Sequence, residues 1–571
     1  MKIKHDFGEL VSEKEVRGGN FILTNRIGGF YYSSLKTKYG GWHIFEGEMF
    51  KILEGFPGKS EYLENNFYQV NRKGSVLEEF FFPFGENSLV YGSSKAVEFV
   101  LDVRKAYDGR VWGRKYEVSV EDGKMVIKFV KRTDKREDGS NGEREFEMFV
   151  VVNGVGSIVG EWDEKEYELD KNRKSLSKRS VYRAIKFKPG RYVISAGLDK
   201  ERVLARNKYV VENWEELRKK QREYFGTFLN EGLVEFCLAT GLDSLVNSLD
   251  SGSLFAGLPW FFQEWGRDAA IASGALISEG EIDLAKKILF NLLEKVSDDG
   301  LLLANDESKL ASADALGWVF LRFMGLLDKL KDDELKLVKS KLVWVIERLL
   351  TYHTKDKLAY NGKLETWMDT TDRTGACIEI QALRLAMYKF AFELTRDRKY
   401  KVLEEEMRKE VREKFWDGEI LVDRLGSLEA RPNIFIAAYV YPELLSNQEW
   451  SDAFEHVLER IWLDWGLATI DVKSSKFVSS YSGEDNKSYH NGDSWFWVNN
   501  LAALVMHRVN RDKFKSYIHK ILEASKNELL WGGCIGGCAE LSSANSLRSE
   551  GCVLQAWSMA MLMELLLELK T

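Results

Sequence analysis

Apolar residues change period once along the chain, near residue 230. Before that point they come in short runs that alternate or are β-branched: Lys124–Val130 (KMVIKFV), Phe146–Val152 (FEMFVVV) and Arg191–Ser195 (RYVIS). Turn-forming stretches (EDGK, EDGSNGE and FKPGR) separate them, and no helical period lies between. This pattern predicts an antiparallel β-sandwich over residues 1–205. Residues 206–230 lie in a charged stretch, ERVLARNKYVVENWEELRKKQREYF, which predicts a linker helix. From residue 231 onward the period is 3.6. Twelve helical stretches are expected, near 233–249, 268–279, 282–296, 313–327, 332–354, 377–396, 399–416, 433–445, 450–463, 493–508, 511–525 and 551–569.

The connections between these helices are unequal. Those entering the even-numbered helices are long and varied: GLPWFFQEWGRD, ANDESKLASAD, NGKLETWMDTTDRTGA, DRLGSLEARPN, SYSGEDNKSYHNGD and WGGCIGGCAELSSANSLRSEG. The others are short, as in SEGEI and TRDR. Six helix pairs, each with the elaborate loop leading into its second helix, predict an (α/α)6 barrel over 231–571. All six loops would converge at one mouth, and function concentrates on loops held by a rigid scaffold. The expected fold class is therefore α+β and multidomain: a sandwich followed by a barrel.

Composition narrows the partner. The chain of 571 residues has 82 Lys+Arg against 89 Asp+Glu, a net charge of −7. This gives no electrostatic case for nucleic acid or an anionic membrane as partner. No apolar run approaches the ~18 residues of a membrane span, and the start MKIKHDFGELVSEKE lacks a signal-peptide core. Five scattered cysteines suit a reducing cytoplasm better than a disulfide framework. They also give no complete metal-ligand set, so neither metal nor cofactor is expected. Aromatics make up 13 %, including 17 Trp. Trp260, Trp265, Trp367, Trp495, Trp497 and Trp531 fall in or beside the long loops. So do Glu264, Asp268, Asp314, Glu365, Asp369, Asp372, Glu379, Asp485, Asp493 and Glu540. Flat indoles match the C–H faces of sugars and carboxylates bind their hydroxyls, so a neutral oligosaccharide is the expected ligand.

Cleaving a glycosidic bond requires one carboxyl to donate a proton and a second to activate water or attack. Asp369, after Trp367 and Met368, has apolar neighbours that would raise its pKa, and Glu540 lies in a glycine-rich stretch. Taken alone, either residue reads better as a helix N-cap or surface acid, Asp369 in particular as a cap or turn residue before the helix at 377.

At this point the helical half resembles the glucosidase domain of glycogen debranching enzymes (amylo-α-1,6-glucosidases), which is related in fold to glucoamylases. The resemblance is carried, in order, by PWFFQEWGRDAAIASGAL, ASADALGWVF, ETWMDTTDRTGACIEIQAL, ARPNIFIAAYV, GLATI, YHNGDSWFW and GCVLQAWSMA. In the first half, LTNRIGGFYYSSL and GGWHIF resemble the N-terminal domain of bacterial and archaeal members. The resemblance implies Asp369 as general acid and Glu540 as general base of an inverting exo-hydrolase. That enzyme would release glucose from α-1,6 linkages, with α-1,4 second, of glycogen-derived oligosaccharides. It further implies Arg267 and Asp268 on the terminal glucose, with Trp265, Trp367, Glu379, His490 and Trp495 completing the pocket. Two stretches depart from the family pattern. CAELSSANS replaces an acidic SEIFDG-like sequence, and Asn491 and Asp493 stand where a Gln and a small residue are usual. Alternatives on the same fold are a glucoamylase and a hydrolase of a glycosylated small solute. A carbohydrate-binding protein without catalysis is the alternative from another class.

Overall fold

The computed structural model describes all residues except 59, 111, 133–144, 230–231, 249–251, 306–309 and 571. The expected turn EDGSNGE falls largely on 133–144 and so lies outside the described residues. The chain forms two compact units, Met1–Asp250 with Gly533–Gly536, and Ser251–Gly532 with Gly537–Thr571.

Two sheets build the first unit. The larger runs, in spatial order, through Arg114–Glu121, Lys124–Lys131, Phe146–Asn153, Gly190–Gly197, Ser88–Ser93, Leu77–Phe81, Gln69–Gly74, Ser60–Asn65, Lys2–Phe7 and Leu10–Glu15. The smaller runs through Ser157–Glu166, Lys178–Phe187, Val97–Lys105, Met49–Leu53, Gly41–Phe45, Phe30–Tyr32 and Ile22–Thr24. Alternation explains the strands: Lys124–Lys131 buries Met125, Ile127 and Phe129 and pairs residue for residue with Arg114–Glu121. Its hairpin turns at Asp122 and Gly123, both at positive φ (47° and 73°), the geometry that asks for an Asp-Gly pair. Rings from both sheets meet between them. Tyr31 stacks near Phe80 at 5.2 Å, and Phe56 lies flat on Tyr91 at 3.7 Å. One ladder departs from the antiparallel expectation: Lys2–Phe7 pairs parallel with Ser60–Asn65. A parallel pair needs a long crossover, and the intervening chain supplies it by laying down four strands of the other sheet.

The helix expected as a linker spans Lys200–Gly226 and starts on Asp199, whose side chain accepts the Arg202 N–H. It belongs to the first unit. Val210 packs on Phe81, Val90 and Val193, and Val203 on Val126 and Val151, so one apolar stripe covers the larger sheet.

In the second unit six helices follow one another round a closed ring: Gly266–Ser278, Ala315–Met324, Ile378–Thr395, Asn433–Val440, Phe496–Trp531 and Ala556–Lys570, the last packing against the first. The ring helices are apolar on all sides. In Ile378–Thr395 every residue from Ile378 to Tyr388 is buried. Between them run Ile282–Glu294, Asp332–Tyr352, Arg398–Phe415 and Asn447–Ile461, which are amphipathic. Arg398–Phe415 buries only Tyr400, Met407, Val411 and Phe415, a single stripe at helical spacing. Asn510 (φ −162°, ψ 84°) breaks Phe496–Trp531, giving the last ring helix pair its turn. The long loops all end at the N-termini of ring helices, so they share one end of the ring. No described helix is long and apolar enough to cross a membrane.

Candidate active site

Four of these loops place acids on one another. In WGRD, Trp265 sits in extended backbone before the helix Gly266–Ser278, which puts Arg267 and Asp268 in its first turn. An acid there is favoured by the unpaired N–H groups of the helix end. Arg267 is buried, and its Nε lies 2.9 Å from both oxygens of Asp314 while its Nη2 donates to Ser312 Oγ at 2.8 Å. Its remaining Nη1 lies 3.6 Å from Asp369 Oδ2. Burial works against the Arg267 charge, but Asp314 and Asp369 raise its pKa above the usual arginine value.

Asp369 follows Trp367 and Met368, both buried, and a quarter of its own side chain stays accessible. Burial raises its pKa to about 6, with Arg267 opposing and Asp314 adding to the rise. Asp268 is more enclosed. Its pKa rises to about 7 through burial, against Arg267, with Glu540 and Asp369 adding repulsion. Gln555 Nε2 donates to Asp268 Oδ1 at 3.0 Å across 287 positions of sequence. A two-residue ladder, Gly257–Leu258 against Leu554–Gln555, sets that reach.

Glu540 is fixed from several sides. Its own N–H donates to the Cys552 carbonyl at 2.8 Å, while the Cys552 N–H donates back to Glu540 Oε2 at 2.9 Å. The Tyr489 hydroxyl donates to Oε1. Gly551 (φ +68°) lies against the carboxylate, and a Cβ there would sit 2.2 Å from Oε2. The glycine-rich stretch thus admits the acid itself. Burial, Glu540 and then Asp369 drive the Tyr489 pKa well above 10, so it stays a donor among the acids.

Asp369, Glu540, Arg267 and Asp268 are thus brought together. The other expected residues are placed differently. Trp367, Trp495 and His490 are at most 2 % exposed and cover one another. His490 lies flat on Trp495 at 5.1 Å, and Trp367 meets both rings edge-on. Trp367 Nε1 donates to Asn433 Oδ1 at 2.6 Å, and Trp495 Nε1 to the Tyr489 carbonyl at 2.8 Å. These indoles form the aromatic floor of the loop cluster instead of an open sugar platform, because their faces are already packed. Trp265 is only half-buried and meets Phe261 edge-on. Burial, helped by Arg431, Arg267 and Arg373, keeps His490 neutral, and the Thr370 hydroxyl lies 2.7 Å from its Nδ1.

Glu379 lies deeper. It is 1 % exposed and forms a two-pronged ion pair with Arg373, which also donates to Asp423 Oδ2 at 2.9 Å. Its carboxylate is committed to a protein cation. Asp493 is buried, accepts the Ser488 hydroxyl at 2.6 Å, and is raised to about 7 by burial, with Glu550 and Glu540 adding.

Tyr489, Arg373 and Gln555 were not singled out from sequence. Tyr489 and Arg373 stand within motifs that were, next to His490 and four residues after Asp369. Gln555 likewise stands within GCVLQAWSMA, with no sign there of its partner.

A family model described as Amylo-alpha-1,6-glucosidase matches residues 234–564. None of the curated proteins matches the chain by sequence. Among solved structures, a bacterial glucoamylase complexed with acarbose superposes with a TM-score of 0.69 at 11 % identity, covering 96 % of this chain and 93 % of its own, and so shares the fold. A GH63 mannosylglycerate hydrolase from Thermus thermophilus, in complex with Tris, aligns over 57 % of this chain and 98 % of its own with a TM-score of 0.45 at 12 % identity. The family match spans more than half the sequence and contains every acid of the site, so the chain belongs to the amylo-alpha-1,6-glucosidase family and is a glycoside hydrolase.

Proposed function

We propose that the protein releases glucose from α-1,6-linked branches of glycogen-derived oligosaccharides, with inversion, using Asp369 as general acid and Glu540 as general base. The observation that carries this reading is the pairing of two differently held carboxyls. Asp369 keeps a proton up to about pH 6 and retains an accessible face. Glu540 is aimed by Tyr489 and the Cys552 N–H, and its carboxylate is the acceptor a water would meet.

The steps follow from these positions. Asp369 donates its proton to the departing glycosidic oxygen, and Arg267 Nη1 beside it stabilises the carboxylate that remains. Glu540 takes a proton from water as that water's oxygen bonds to the anomeric carbon, so two carboxyls act on opposite faces. Asp268, protonated near neutrality, donates to a hydroxyl of the terminal glucose as well as accepting from Gln555. The acarbose complex of the fold-sharing glucoamylase supports an oligosaccharide as ligand. Cytoplasmic residence fits a glycogen-derived substrate.

NMR of the first-formed sugar during hydrolysis of panose tests the reading. β-Glucose released at the outset, from the α-1,6 bond before the α-1,4 bond, is expected. α-Glucose first would overturn inversion, and no release would overturn hydrolysis of this substrate class.

A further inference from the structure

The first unit buries a charge cluster that does not balance. Asp102, fully buried, is ringed by four cations: Arg104 Nε at 2.9 Å, Arg114 Nη2 at 3.0 Å, Lys51 Nζ at 3.5 Å and Arg179 Nη2 at 3.7 Å. The side chains of all four are at most 2 % exposed. A second acid of the cluster is Glu54, which binds Lys51, accepts the Tyr167 hydroxyl at 2.7 Å, and takes a further cation, Lys165, at 2.5 Å. Four buried cations therefore face two carboxylates, and a fifth, partly exposed cation already draws on one of them.

Arg179 is the member left over. Arg104 and Arg114 donate to Asp102, and both also donate to backbone carbonyls. Arg179 Nε and Nη2 are sealed from solvent and find no hydrogen-bond acceptor among the described residues. At 3.7 Å its contact with Asp102 is beyond hydrogen-bond distance, whereas Arg104 and Arg114 lie within it. A guanidinium carries five N–H donors and does not give up its proton, so titration cannot relieve it. Water could satisfy donors, but it would not neutralise a buried surplus of positive charge. The neighbouring Tyr116 and Tyr167 add hydroxyls but no charge, their acidity suppressed by burial.

We propose that Arg179, with Arg114 and Arg104 behind it, forms a binding site for a small inorganic anion of chloride's size, which completes the charge balance of the first unit. The near-complete burial favours a monatomic ion over phosphate or sulfate, whose four oxygens need more room and more donors.

The test has two arms on the full chain. Melting is followed as chloride replaces methanesulfonate at constant ionic strength. The midpoint of the wild type is expected to rise by about 1–3 °C per tenfold increase in chloride, as for any ligand bound only by the folded state. R179M is expected to lose that slope while melting no lower than wild type in chloride-free buffer. Equal slopes in both proteins would overturn the proposal. Should R179M fail to fold, wild-type crystals grown in bromide decide by themselves. An anomalous peak within about 3.5 Å of the Arg179 guanidinium supports the site, and water alone there refutes it.

Discussion

Two buried charge clusters lie in the long loops of the barrel, and they solve opposite problems. Around Arg373, one guanidinium is shared by Glu379 and Asp423, with Asn433 donating to Asp423 at 2.7 Å. Burial opposes the Arg373 charge, but Asp423 and Glu379 outweigh it and push its pKa far above the usual value. That cluster is closed. Around Arg267, Asp314, Asp369 and Asp268 compete for one guanidinium, and Asp314 holds it most closely. Asp369 and Asp268 keep protons instead. The comparison teaches that access to solvent separates a raised carboxyl that can hand on a proton, as Asp369 can, from one that only holds loops in place, as Glu379 does, since burial raises both.

D369N should break the comparison most visibly. A fall in kcat of about 10³–10⁴-fold with no loss of melting temperature is expected, since the change removes a proton donor and only a long, 3.6 Å contact with Arg267. Steady-state kinetics beside a thermal melt checks it. G551A should come next, costing about 10²-fold in kcat by displacing Glu540, whose Oε2 occupies the space a Cβ would need. Its measure is the kcat-against-KM split, with kcat carrying the loss.

E379Q should act on the other axis. Removing one partner of a buried ion pair destabilises the fold by about 3 kcal/mol, read by urea unfolding, and activity should fall only as folded protein is lost. An E379Q variant of full stability with a raised KM would instead place Glu379 on the sugar.

pH sharpens the contrast. Because the Asp369 proton leaves near pH 6, kcat should fall about tenfold per unit above that value, and D369N should flatten the limb. The same raised carboxyls affect stability. Between 3.8 and about 7 folded Asp268 holds a proton that the unfolded chain has released, so stability is lost as pH rises through that window. D268N should therefore be the smallest effect, a gain on the order of 1–2 kcal/mol at pH 7.5 that vanishes near pH 3.

Much of this was legible in the sequence because helix periodicity separates the two rings. The all-round apolar IEIQALRLAMY could only be buried on every side, while the lysine- and glutamate-rich Arg398–Phe415 left one stripe for packing. Loop length then pointed to one end of the ring, and the family resemblance to Arg267, Asp268, Asp369 and Glu540 among the residues there. Partnership was not legible. Nothing local to Glu379 says that Arg373, six residues earlier, folds back onto it, and nothing near Asp268 points to Gln555. Nor does composition tell an indole that faces a ligand from one whose faces are taken, as those of Trp367 and Trp495 are. Such facts depend on which loops meet, and only the closed ring decides that.

The closure of that ring has a consequence in time. Gly266–Ser278 packs against Ala556–Lys570, so the first ring helix emerges from the ribosome about 280 residues before its last neighbour. At roughly 5–20 residues per second, it waits some 15–55 seconds with one apolar flank uncovered. A stop codon anywhere ahead of residue 556 would make that exposure permanent, so truncated products should be recognised by chaperones and proteases rather than persist as smaller working enzymes.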